Sequence, residues 1–236
     1  MTVDLARHHR PGRQPTLLFL PGYRSDMTGS KALALDEWAA ARGQGMLRFD
    51  YRGCGDSPGA FEDLTLDDWL DDVLRMIDSV AGPLVLVGSS MGGWLMLLAA
   101  LARPDRIAAL VGIAAAADFT EWGFDAARRA QLESGDTLRE PSHYDDSVMV
   151  TTSAFWQSGQ RRLLLDKPLP IACPVRLLQG ERDAEVPVEI ALRLGAALHS
   201  DDVHLTLVKD GDHRLSRPQD LQLLLGTVAQ LLESLP

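Results

Sequence analysis

The 236-residue chain is 46% hydrophobic and 24% charged, ordinary globular usage that excludes disordered and low-complexity classes. Its formal net charge of −10 argues against a nucleic-acid binder, which needs a basic face, and against attachment to an anionic membrane surface. Two cysteines, Cys54 and Cys173, without disulfide or metal-ligand spacing, imply reduced thiols, no metal site and a cytoplasmic setting.

The N-terminal stretch "MTVDLARHHRPGRQPT" has no apolar h-region, so no secretory signal is expected. Its arginines resemble a transit peptide only faintly, because the stretch is short and runs straight into a strand. No window approaches the roughly 18 apolar residues of a membrane span.

The first strong strand is "TLLFLPG", residues 16–22, followed by a helix capped from Ser25 or Asp26 and ended by Gly43. "GMLRFDYRG" reads as the next strand. "TLDDWLDDVLRMIDSV" then carries a helical stripe at Leu66, Trp69, Leu70, Val73, Leu74 and Ile77, with Thr65 placed to cap it. "PLVLVGS" is a strand, "MGGWLMLLAALA" a helix and "IAALVGIAAA" a strand. Later the alternation resumes as strand "PVRLLQG", helix "PVEIALRLGAALH", strand "VHLTLVKDG" and a closing helix over "PQDLQLLLGTVAQLLESL". Continuously apolar strands suit a parallel sheet buried on both faces, and their alternation with helices predicts an α/β fold in a single domain, residues 1–236.

Residues 119–169 break the pattern. "EWGFDAARRAQLESG" reads as one helix, "REPSHYDDSV" as a turn-rich stretch, and "AFWQSGQRRLLL" as a second short helical piece. A segment inserted between sheet elements is expected to cap an active site. Its aromatics, Phe119, Trp122, Phe124, Phe155 and Trp156, can line an acyl pocket or merely pack the cap onto the sheet.

Two adjacent serines stand in "VLVGSSMGGW". Centred on Ser90 the window reads Gly88-Ser89-Ser90-Met91-Gly92, which fits G-x-S-x-G; centred on Ser89 it does not. The motif lies between an apolar strand and an apolar helix, the setting of a nucleophile elbow, so Ser90 is the candidate nucleophile.

A serine hydroxyl needs a base, and the base needs an orienting acid. Of six histidines, His8, His9, His143, His199 and His204 read as surface residues. His213 lies in the loop after the last strand, at the carboxyl edge where active sites of open parallel sheets form. Asp183, after the preceding strand, is the candidate acid, with Asp118 as runner-up; Asp210 and Asp212 read as turn formers. Two backbone amides, of Met91 after the nucleophile and of Tyr23 after the first strand, are placed to form an oxyanion hole. "GCGDSP" begins like a dinucleotide fingerprint, but it ends on Pro58 and leads into no helix, so no cofactor is expected.

On "LPGYRSDMTGSKA", "RFDYRGCGDSPGAF", "VGSSMGGWLMLLAA" and "KDGDHRLSRP" the chain resembles the α/β-hydrolase superfamily over essentially its full length. The resemblance is to the branch holding bacterial serine hydrolases and the animal mitochondrial palmitoyl-protein thioesterase/acyl-glucuronide esterase, whose members often have His at the position of Cys54. It implies a mostly parallel sheet, which the short stretch before "TLLFLPG" holds to about seven strands or fewer, a Ser90–Asp183–His213 triad and oxyanion amides at Tyr23 and Met91. The implied reaction is hydrolysis of a small-molecule carboxylic ester or thioester. A binding protein, a peptidase or a lyase on the same fold is the alternative.

Overall fold

The computed structural model describes residues 4–142 and 148–235; His143 and the centre of the turn-rich stretch lie outside them. In chain order come β1 (Arg7–Arg10), β2 (Arg13–Leu20), α1 (Ser30–Arg42), β3 (Gln44–Phe49), α2 (Leu66–Ser79), β4 (Leu84–Ser89), α3 (Met91–Ala102) and β5 (Ile107–Ile113). Then follow α4 (Phe119–Trp122), α5 (Ala126–Glu133), β6 (Leu138–Pro141), β7 (Val148–Thr151) and α6 (Ser153–Gln160). β8 (Val175–Gly180), α7 (Val188–Ala197), β9 (Val203–Val208) and α8 (Pro218–Ser234) complete the fold.

Among the described residues the main sheet has seven strands, in the order β1-β3-β2-β4-β5-β8-β9. Only β1 runs antiparallel, beside β3; the other neighbours are parallel. Strand residues alternate between two cores, as a period of two requires. Leu18, Leu20, Leu84 and Leu86 meet α2, α3 and α7 on one face. Leu17, Phe19, Val85 and Val87 meet α1 and α8 on the other. The predicted doubly covered parallel sheet is therefore present. β9 departs from it: as an edge strand it is only half-buried, with Leu207 exposed.

Local signals explain most boundaries. Thr65 caps α2 in a reciprocal capping box with Asp68. α1 instead begins at Ser30, later than expected, because Asp26 turns its carboxylate to the Thr28 amide (2.7 Å) and closes a local turn. The single helix expected over 121–135 is two. Gly123 ends α4, and Asp125 starts α5 by accepting from the Arg128 amide at 2.9 Å. The β6–β7 hairpin pairs antiparallel as a sheet of its own, an element not anticipated in the sequence. No helix among the described residues is long and apolar enough to cross a membrane.

Candidate active site

The chain leaves β2 toward β3 on one side of the sheet and β4 toward β5 on the other, so a crevice opens above the carboxyl ends of β2 and β4. Ser90 sits in that crevice, between β4 and α3, with φ 54° and ψ −120°. This backbone is costly for a residue with a side chain, and close packing enforces it. A Cβ on Gly92 would lie 2.1 Å from the Leu20 carbonyl oxygen, and one on Gly88 would lie 2.4 Å from the Gly92 carbonyl oxygen. Glycine at 88 lets β4 and α3 approach this closely, and glycine at 92 lets α3 meet the end of β2. The G-x-S-x-G spacing is thus a steric requirement of the turn.

His213 and Asp183 arrive from the loops after β9 and β8. The Ser90 hydroxyl lies 3.1 Å from His213 Nε2, while Nδ1 of the same ring lies 2.9 and 3.1 Å from the two Asp183 carboxylate oxygens. The Asp183 side chain is fully buried and the His213 side chain is 13% exposed. The amides of Glu185 (2.9 Å) and Val186 (2.8 Å) and the buried Gln179 side chain (3.1 Å) also donate to Asp183. Burial alone would raise the Asp183 carboxyl. The hydrogen bond and charge of His213, with the two amides, outweigh it and hold the carboxyl below its ordinary value. An ionised Asp183 takes the Nδ1 proton as its hydrogen bond, which leaves Nε2 free to accept from Ser90. The arrangement can therefore activate a hydroxyl.

The loop after β2 closes the other side of Ser90. A Cβ on Gly22 would lie 3.4 Å from that of Ser90, which puts the next residue, Tyr23, against the crevice. Met91 opens α3, where backbone amides and the helix dipole favour negative charge. Asp118, the alternative acid, is buried elsewhere: its oxygens accept from the Leu164 amide (2.9 Å) and the Leu165 amide (2.7 Å). Burial pushes its carboxyl up against the pull of those amides. One neighbour was missed in the sequence. Glu185 Oε2 lies 3.5 Å from His213 Nε2, and only its position two residues beyond Asp183 could have signalled it.

Two cavities meet at Ser90 and His213. One, of about 520 Å³, is lined by Ala116, Phe119, Trp122, Phe124, Met149 and Val186. The other, of about 470 Å³, is lined by polar groups that include Ser25, Asp26, Lys31, Arg214 and Ser216. Burial, with Arg214 adding to it, lowers the Lys31 ammonium to about 8. The insertion aromatics divide between two tasks. Phe119, Trp122 and Phe124 face the first cavity, whereas Phe155 packs on Tyr23 and Trp69, and Trp156 donates its indole N–H to the Thr120 carbonyl at 2.9 Å.

The sequence pattern of the alpha/beta hydrolase family matches residues 17–222. The chain belongs to the alpha/beta hydrolase family. Within it, human palmitoyl-protein thioesterase ABHD10, mitochondrial, is 40% identical over 237 residues, spanning 98% of this chain and 78% of the relative. The structure of mouse alpha/beta hydrolase domain-containing protein 10 superposes with a TM-score of 0.91 at 36% identity, covering 99% of both chains. A candidate hydrolase from Agrobacterium vitis S4 superposes with a TM-score of 0.87, again at 36% identity, over 98% of this chain and 99% of its own. This alpha/beta hydrolase thus stands among homologues named as hydrolases and thioesterases, and the thioesterases are named as mitochondrial.

Proposed function

We propose that the protein is a serine hydrolase that cleaves carboxylic esters or thioesters through an acyl-enzyme, with Ser90, His213 and Asp183 as its triad. The observation that carries this reading is the unbroken chain of contacts from Ser90 Oγ through both ring nitrogens of His213 to Asp183. In the proposed cycle His213 Nε2 takes the Ser90 proton as Oγ attacks the acyl carbon. The Tyr23 and Met91 amides receive the negative charge that develops on the carbonyl oxygen. His213 then returns the proton to the departing alkoxide or thiolate, and afterwards activates water to release the acid. Asp183 fixes the ring tautomer and faces the imidazolium while it exists.

Residues 119–169 act in this reading as a cap on a single α/β domain, with the apolar cavity taking the acyl chain and the polar one the leaving group. The printed names of the ABHD10 relatives support a thioester among the substrates. The unpaired thiols of Cys54 and Cys173 suit a reducing compartment, either the cytoplasm expected from the sequence or a mitochondrion as in those names.

A fluorophosphonate probe tests the nucleophile. It is expected to modify Ser90, and Ser90→Ala is expected to abolish both labelling and turnover of a chromogenic ester while Ser89→Ala retains them. Label recovered on Ser89 of the intact protein overturns the assignment.

A further inference from the structure

Tyr23 and Arg24 are the two central residues of a turn in the loop after β2. The Ser25 amide donates to the Gly22 carbonyl at 3.1 Å, and the Met27 amide donates to Asp50 Oδ1 at 2.7 Å. Within that turn Arg24 has φ 55°, a left-handed conformation that is costly for a residue with a side chain. The insertion holds both side chains of the turn. The Tyr23 hydroxyl donates to the Val150 carbonyl at 2.7 Å, and the Arg24 guanidinium donates to the Val148 carbonyl while lying 5.3 Å from the centre of the Phe61 ring. Val148 and Val150 are two apart on β7, so their carbonyls point to one side of the strand. The Tyr23 ring is also wedged between core and insertion, with Phe61 and Trp69 beneath it and Phe119 and Phe155 above.

We infer that the side chains of Tyr23 and Arg24 are positioning residues through which the β6–β7 hairpin holds the Tyr23 amide in register with Ser90. This rests on the oxyanion role proposed above for that amide. An oxyanion donor works only when it lies about 2.7–3.1 Å from where the charge will form. A turn released from the hairpin would let the amide drift out of that range. The same contacts make the oxyanion site dependent on the hairpin being docked, so an acyl chain that lifts the hairpin weakens the chemistry it is about to undergo.

Arg24→Gly and Tyr23→Phe test the inference. Glycine takes a positive φ without strain, so Arg24→Gly removes the tether and spares the fold. Deleting an oxyanion donor outright costs about 100–1,000-fold, so loosening one is expected to lower kcat roughly five- to tenfold in each variant. KM for a short-chain ester is expected to stay unchanged, affinity for a boronic acid that mimics the tetrahedral intermediate to fall with kcat, and Tm to hold. Arg24→Lys, which keeps a donor, is expected to recover part of the loss. Unchanged kcat and boronic-acid affinity in both variants overturn the tether, and so does an effect confined to KM. A crystal structure of the wild-type boronic-acid adduct separates the two levels. An adduct oxygen on the Tyr23 amide leaves only the tether at stake, whereas an oxygen bound elsewhere overturns the oxyanion assignment beneath it.

Discussion

The elbow around Ser90 and the insertion over it are built on opposite principles. At the elbow, every constraint acts between backbone segments that cannot move apart: added Cβ atoms at Gly88 and Gly92 would overlap carbonyl oxygens. In the insertion, position depends on side chains from distant parts of the chain. Asp67, at the start of α2, receives Ser158 Oγ (2.8 Å), Arg161 (2.9 Å) and Arg162 (2.7 Å) from the end of α6 and the turn beyond it. Under the proposed function, chemistry sits where geometry is rigid, and selectivity where it is negotiated among separable contacts. Damage should therefore be steep in the first region and graded in the second.

The sharpest way to break this comparison, after the proposed nucleophile itself, is at the proposed acid. Loss of the residue that orients the base costs about 10,000-fold in serine hydrolases, and Asp183→Asn is expected to approach that loss in kcat. Asp118→Asn, at the root of the insertion, is expected to change kcat only a few-fold. The reverse ranking in steady-state assays would move the acid to the end of β5.

The graded region is probed by an ester series. Each methylene buried against Phe119, Trp122 and Phe124 is worth about 0.8 kcal/mol, or roughly fourfold in kcat/KM. Efficiency is expected to climb from acetyl to medium chains and then to level or fall. A steady decline from acetyl onward would mean that the aromatics close a small site.

Acid unfolding gives a smaller signal. The Asp183 carboxyl titrates below its unfolded value. Its contribution to stability is thus present above the ordinary carboxylate range and is lost as pH falls through the folded value. Tm of Asp183→Asn is expected to fall less steeply on acidification than that of the wild type. Parallel curves would show that the Asp183–His213 pair contributes nothing to acid sensitivity.

The smallest effect concerns backbone strain. Ser90→Gly and Ser90→Ala are both expected to be inactive, but glycine relieves the positive φ of Ser90. The glycine variant is expected to be more stable than the alanine one by about 1 kcal/mol in denaturant unfolding.

How much could be read from the sequence divides along the same line. The Thr65 cap of α2, the helix end at Gly43 and the strand–turn–helix setting of Ser90 each depend on a few adjacent residues, and each stands where expected. The start of α1 was misjudged because two equally good capping residues, Ser25 and Asp26, precede it, and Asp26 serves a turn instead. The β6–β7 hairpin left no readable trace: four-residue strands such as "LREP" show no alternation and carry a proline. The candidate acid and base were legible as residues at strand ends, but the contacts that link Asp183 to His213 and His213 to Ser90 were not. Glu185 beside His213 was hidden for the same reason, since no local pattern reports a meeting across 28 positions.

The seating of the insertion has one more consequence. β5 and β8, the strands on either side of it in the chain, are direct neighbours in the sheet, paired from Leu110–Val175 to Ile113–Leu178. The two run parallel, so the chain that leaves the carboxyl end of β5 must cross back past the sheet to enter β8 at its amino end, and the insertion is carried on that crossover. Such a segment can be lengthened, shortened or exchanged without asking any strand to find a new partner. Under the proposed function, substrate preference can be rewritten in this crossover while Ser90 stays put.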